Sequence, residues 1–184
     1  MASTILIWRR KPNASAICLV EFTLKNGLLC GAGLTMRAAQ GRGGIRVDKR
    51  EGDGATPPGL LKLTRVLYRA DRVIPPRCAV PLEPLSPQDG WCDDPADPAY
   101  NKPVRLPYAA SHEALWRDDA VYDIIGVLDW NLNPVVPGRG SAIFFHIATP
   151  DYAPTAGCVA LSLADMQKAL AAGLSALFVS HPGN

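Results

Sequence analysis

Gly140-Ser141-Ala142-Ile143-Phe144-Phe145-His146 runs from a glycine through an apolar stretch to a histidine. Twelve residues beyond that histidine stands the cysteine of Pro154-Thr155-Ala156-Gly157-Cys158-Val159. An apolar run this short, bounded by turn residues, reads as a buried strand. The segment after it, Thr149-Pro150-Asp151-Tyr152-Ala153-Pro154, is polar and turn-rich and reads as a loop. Gly157 permits close backbone approach just before the thiol. A thiol needs a nearby base to be a useful nucleophile at neutral pH, and this loop is short enough to bring the Cys158 thiol to the His146 ring. His146 would act as general base towards the thiol and then as general acid towards the leaving amine. The backbone N–H groups of Gly157 and Cys158 are the natural oxyanion donors. A helix beginning near Ser162 would place partial positive charge near the sulfur. At this level a buried structural thiol and a satisfied core histidine remain open as alternatives.

Working outward, residues 4–9 and 15–23 are rich in Ile, Val and Leu and read as strands. Asn26-Gly27 is a hairpin signal between two apolar runs. Further strands are expected over 60–68, 121–130, 141–148 and 174–179. Ser162 with Asp165 resembles a capping box, and Leu163, Met166 and Leu170 recur at helical spacing before Gly173. Residues 75–110 carry many prolines and little periodicity, which predicts a long irregular and functional segment. His112, in Ser111-His112-Glu113, reads as an exposed helix start, and His181 lies in the tail. The result is a mostly β (α+β) chain with one helix after the cysteine loop, folding as a single domain over 1–184.

Composition agrees. Of 184 residues, 48% are hydrophobic and 20% charged, enough apolar surface for a packed core. The net charge of +2 does not by itself indicate nucleic acid. The 17 prolines and 16 glycines favour strands and loops over a helix bundle. Five cysteines cannot all pair within one chain, and no CxxC spacing points to a zinc or thioredoxin-type centre. Cys18 and Cys30 sit in strand-like runs and are expected to be buried. Asp89, Trp91, Cys92, Asp93 and Asp94 form an acidic patch without a histidine, better suited to a substrate wall or a loop anchor than to a metal. No apolar run reaches transmembrane length. Met1–Arg10 lacks the order of charge and apolar residues of a secretory signal, so the chain is expected to start inside the cell or to be numbered without its export signal.

The chain resembles the L,D-transpeptidases of the YkuD type, in their proteobacterial branch. Four blocks in order carry the resemblance: Lys49–Gly59, Asp89–Asp94, Tyr100–Val104, and Gly140–His146 with Thr155–Val159. It implies a YkuD-like β-sandwich or barrel in which Cys158, beside the sheet, attacks a carbonyl of a peptidoglycan stem peptide with His146 as base. A diaminopimelate amine on a second stem then resolves the thioester. No metal or organic cofactor is implied, and carbapenems are expected to acylate the thiol. Thr155, Tyr152, Trp91 and Asn101 are expected to bind substrate. The chain departs from many relatives: Ala156 stands where they carry a second histidine, and Ala160 where they carry an arginine. Loss of that cation weakens capture of a donor carboxylate, and Arg139 or Arg42 is the expected replacement. A subgroup of similar sequence makes one-to-three crosslinks joining L-Ala to diaminopimelate, and the chain is read with it. Hydrolysis of stem peptides and non-catalytic peptidoglycan binding remain as alternatives. Substrate chemistry places the protein in the periplasm, with a cytoplasmic role in recycling as the alternative.

Overall fold

The computed structural model describes residues 18–181. The expected strand at 4–9 lies outside them. Twelve strands and one helix follow in order. The first four are β1 (Val20–Lys25), β2 (Leu28–Gly31), β3 (Leu34–Arg37) and β4 (Gly59–Tyr68). Next come β5 (Leu82–Pro84), β6 (Asp89–Cys92), β7 (Pro103–Arg105) and β8 (His112–Ala114). The chain then runs through β9 (Ile124–Leu128), β10 (Phe144–Ile147), β11 (Val159–Leu161), α1 (Leu163–Ala171) and β12 (Leu174–Val179).

The large sheet runs β11-β10-β9-β4-β12-β1-β2-β3, with β5 beside β4. Its ends meet: Ala39, just past β3, exchanges both backbone hydrogen bonds with Ala160 of β11. The sheet is therefore a nearly closed barrel, the expected mostly β architecture with a helix after the cysteine. Asn26 and Gly27 both take left-handed φ (52° and 71°), as a tight β1–β2 hairpin requires. Ser162 caps α1 by accepting a hydrogen bond from the Asp165 N–H at 3.1 Å.

Two apolar cores lie on opposite faces of one region of sheet. The first fills the barrel with Phe22, Leu24, Leu61, Phe145, Ile147, Val159 and Leu161, and α1 adds Met166, Ala169 and Leu170. The second contains Trp91, Leu115, Tyr122, Ile125, Val127, Phe144 and Cys158. It lies between the large sheet and a small one of order β7-β6-β8. Strands β9, β10 and β11 are buried on both faces, which is why their sequence is apolar without alternation. Strand β4 changes phase at an irregularity between Leu63 and Arg65, so that Leu61, Leu63 and Val66 all reach the barrel core.

Three expectations need correcting. Residues 75–110 are not simply irregular: they carry β5, β6 and β7, too short to leave a period in the sequence. Ser111-His112-Glu113 leads not into a helix but into β8, where Glu113 pairs with Trp91 of β6. Cys18 and Cys30 are exposed, and all five thiols are free.

Candidate active site

Strand alternation places His146 and Cys158 on one face. Phe145 and Ile147 of β10 point into the barrel core, so Phe144 and His146 face the other way. On β11, Val159 and Leu161 likewise point inward, leaving Ala160, and Cys158 just before the strand, on the outer face. The two strands pair in parallel with His146 opposite Ala160. His146 and Cys158 are thus diagonal neighbours across adjacent strands, and both line one cavity of about 190 Å³. Its other walls include Glu113, Arg117, Tyr122, Thr155, Ala156 and Ala160.

The sulfur is held by backbone. The Phe144 N–H donates to Cys158 Sγ at 3.3 Å, and the thiol donates to the Ala142 carbonyl at 3.2 Å. Burial pushes the Cys158 thiol up to about 12, and the charge of Glu113 adds to this. The expected lowering by α1 is therefore overridden by desolvation. His146 is held below its ordinary value, again chiefly by burial, with partial compensation from the Ile147 carbonyl. Both groups rest neutral. His146 Nδ1 lies 2.9 Å from the Ile147 carbonyl oxygen. A carbonyl only accepts, so Nδ1 donates to it, and the Val121 carbonyl also faces the ring. The Tyr122 ring and the imidazole meet edge to face, with centroids 5.3 Å apart. The thiol hydrogen points to the Ala142 carbonyl and not to the ring, so transfer from thiol to imidazole requires Sγ–H to turn away from that carbonyl as attack begins.

The cysteine loop is fixed from below. Thr56 Oγ1 donates to the Gly157 carbonyl at 2.9 Å and accepts from the Gly41 N–H at 2.9 Å. Gly157 has φ 141°, and a Cβ there would lie 2.9 Å from the Ala55 carbonyl oxygen, so close packing requires the glycine. Thr155 Oγ1 donates to the Cys158 carbonyl at 2.6 Å and accepts from the Gly157 N–H at 3.1 Å. The Gly157 N–H, expected to serve an oxyanion, is used inside its own turn.

The other expected substrate contacts separate into two groups. Thr155 lines the cavity. Trp91 and Asn101 do not face it: they are 2% and 1% exposed and brace the site from behind. Asn101 Oδ1 accepts from Trp91 Nε1 and from the Ala142 N–H, both at 3.0 Å, while its Nδ2 donates to the Trp130 and Asn131 carbonyls. Asn101 thus holds the residue whose carbonyl holds the sulfur. Trp91 presents its ring to the edge contact with Phe144 at 5.2 Å. Tyr152 lies beneath the Arg37 guanidinium. Arg139 is exposed, its carbonyl accepting from Trp130 Nε1. Arg42 is exposed as well. The cation on the cavity wall is Arg117, which the sequence did not single out, and Asp119 holds it in a bidentate pair.

The four sequence blocks converge here. Glu51, from the first, accepts hydrogen bonds from Tyr100 of the third and Ser141 of the fourth. The acidic patch anchors loops: Asp89 accepts from the Ser86 N–H and Arg105, and Asp94 from the Ala96 N–H. Among the described residues no three His, Cys, Asp or Glu side chains gather to hold a metal, and no helix is long and apolar enough to cross a membrane.

No curated protein matches the chain. The L,D-transpeptidase catalytic domain, YkuD, matches residues 24–172, from the end of β1 through the end of α1, and so takes in most of the barrel except β12, the small sheet, and the cavity with Cys158 and His146. The chain belongs to the YkuD family of L,D-transpeptidase catalytic domains.

Proposed function

We propose that this protein crosslinks peptidoglycan stem peptides through a thioester on Cys158, joining L-Ala of one stem to diaminopimelate of another. The family is one of cysteine enzymes acting on peptidoglycan peptides. The observation that carries the assignment of residues is the placement of Cys158 and His146 on one sheet face, opening into one cavity. In acylation, Sγ attacks the donor carbonyl, His146 takes the thiol proton, and the C–N bond breaks as that proton passes to the leaving amine. The acceptor amine then displaces the thiol.

The size and lining of the cavity support the small donor. At about 190 Å³, with Ala148, Ala153, Ala156 and Ala160 among its walls, it suits a short side chain better than a branched stem. Incubation with purified muropeptides tests the proposal. L-Ala–diaminopimelate dimers are expected, and they should vanish in Cys158→Ala. Three-to-three dimers would overturn the donor assignment, and exclusive hydrolysis would make the protein a hydrolase. Behaviour unaffected by Cys158→Ala would make it a binding domain. A peptidoglycan substrate supports a periplasmic enzyme, and cell fractionation that finds it wholly in the cytosol would overturn that reading. Carbapenem acylation of Cys158 belongs to the same proposal.

A further inference from the structure

The cavity holds a carboxylate that the acylation step does not use. Glu113 of β8 lines the same space as Cys158 and His146. One of its oxygens, Oε2, accepts a hydrogen bond from the Tyr122 hydroxyl at 2.6 Å. Tyr122 also meets the His146 ring edge to face, so carboxylate, phenol and imidazole stand in sequence along one wall. The charged and titratable groups around Glu113 are Asp93, Arg117, Glu51, Tyr122 and Cys158. Arg117 is committed to Asp119.

The second half-reaction has a need that His146 alone does not meet. After acylation the ring is neutral again, and an amine acceptor arrives as an ammonium. It must lose one proton before it attacks and a second as the new bond forms. We propose that Glu113 serves the acceptor: its carboxylate receives the incoming ammonium beside the Cys158 thioester and takes the first proton. This rests on the thioester reading of Cys158. The free amine then adds to the thioester carbonyl and the C–N bond forms. His146 takes the second proton, the C–S bond breaks, and the ring returns that proton to sulfur. Glu113 releases its proton to solvent, and every atom is accounted for. Burial raises the Glu113 carboxyl above its ordinary value although the Tyr122 hydroxyl opposes this, which makes it a better proton acceptor than an exposed carboxylate.

The test separates the two half-reactions. Cys158 is first acylated with a purified donor muropeptide and the adduct confirmed by intact mass. Free diaminopimelate is then added, and transfer is measured against hydrolysis. Glu113→Gln should acylate within about threefold of wild type while its transfer-to-hydrolysis ratio falls at least tenfold. Glu113→Asp, which keeps the charge on a shorter arm, should give an intermediate ratio and guards against a folding defect in the first variant. Tyr122→Phe keeps the ring against His146 and should shift the ratio less than Glu113→Gln. An unchanged ratio in Glu113→Gln or Glu113→Asp overturns the proposal. So does an equal fall of acylation and transfer, the mark of a residue that only positions His146 through Tyr122. Failure of wild type to form any adduct on Cys158 is seen before a variant is tested and overturns the thioester reading itself.

Discussion

Asn101→Ala tests how the sulfur is held. In the folded protein all the hydrogen-bonding capacity of this amide is directed inward: Oδ1 takes the Trp91 Nε1–H and the Ala142 N–H, and Nδ2 reaches two carbonyls. Truncation strands two buried donors, each costing about 1–3 kcal/mol. The two carbonyls, nearer the surface, can recruit water at little cost. Asn101 also has φ 56°, a conformation that asparagine tolerates better than alanine. The loss should come to about 3–5 kcal/mol, a large part of the roughly 5–15 kcal/mol that holds a typical domain together. At about 2–4 °C per kcal/mol for a chain of this size, the melting temperature should fall by about 10 °C. The Ala142 carbonyl, freed from its anchor, would no longer fix Sγ, so the acylation rate should fall with it. Urea unfolding gives the stability and intact-mass kinetics the rate. A loss below about 1 kcal/mol with normal acylation would refute the claim that Asn101 braces the Cys158 sulfur.

Other expectations follow from the same geometry. Thr56→Val removes the hydroxyl shared by Gly157 and Gly41; it should cost about 2–3 kcal/mol and lower kcat with KM nearly unchanged, whereas an unchanged kcat would mean that the loop does not depend on it. Because the thiol sits near 12 and His146 below its ordinary 6.5, acylation should fall only in acid, as the ring protonates, and stay level through mildly alkaline pH. A tenfold rise per unit through that alkaline range would instead indicate a thiolate nucleophile. The unfolded ring binds a proton that the buried folded ring resists, so the His146 contribution to stability should be lost as pH falls below about 6.5, and His146→Gln should flatten that part of the stability curve. A thiol reagent in denaturant without reductant should count five thiols; fewer would reveal a disulfide.

What could be read in advance depended on range. The apolar run that ends at His146 and the glycine before Cys158 are local, and they were enough to put both residues on one strand-and-loop unit. The single helix was legible for the same reason, since Ser162, Asp165, Met166 and Leu170 lie within three turns. Glu113 was not legible. It acquires its place from pairing with Trp91, which lies in a strand too short to show a period. Arg117 was missed because Arg139 and Arg42 lie in conspicuous glycine-rich stretches, although neither reaches the cavity. Asn101 looked like a substrate contact because nothing local indicates that a polar side chain beside Tyr100 is buried. Its partners at Ala142 and Asn131 come from distant loops.

The most direct test of the account is mass spectrometry of the protein quenched during turnover with a donor muropeptide. The account predicts an acyl mass on the peptide that contains Cys158, discharged by hydroxylamine, absent in Cys158→Ala, and forming far more slowly in His146→Gln. An acyl group on another residue, or crosslinking that persists without the sulfur, would contradict it.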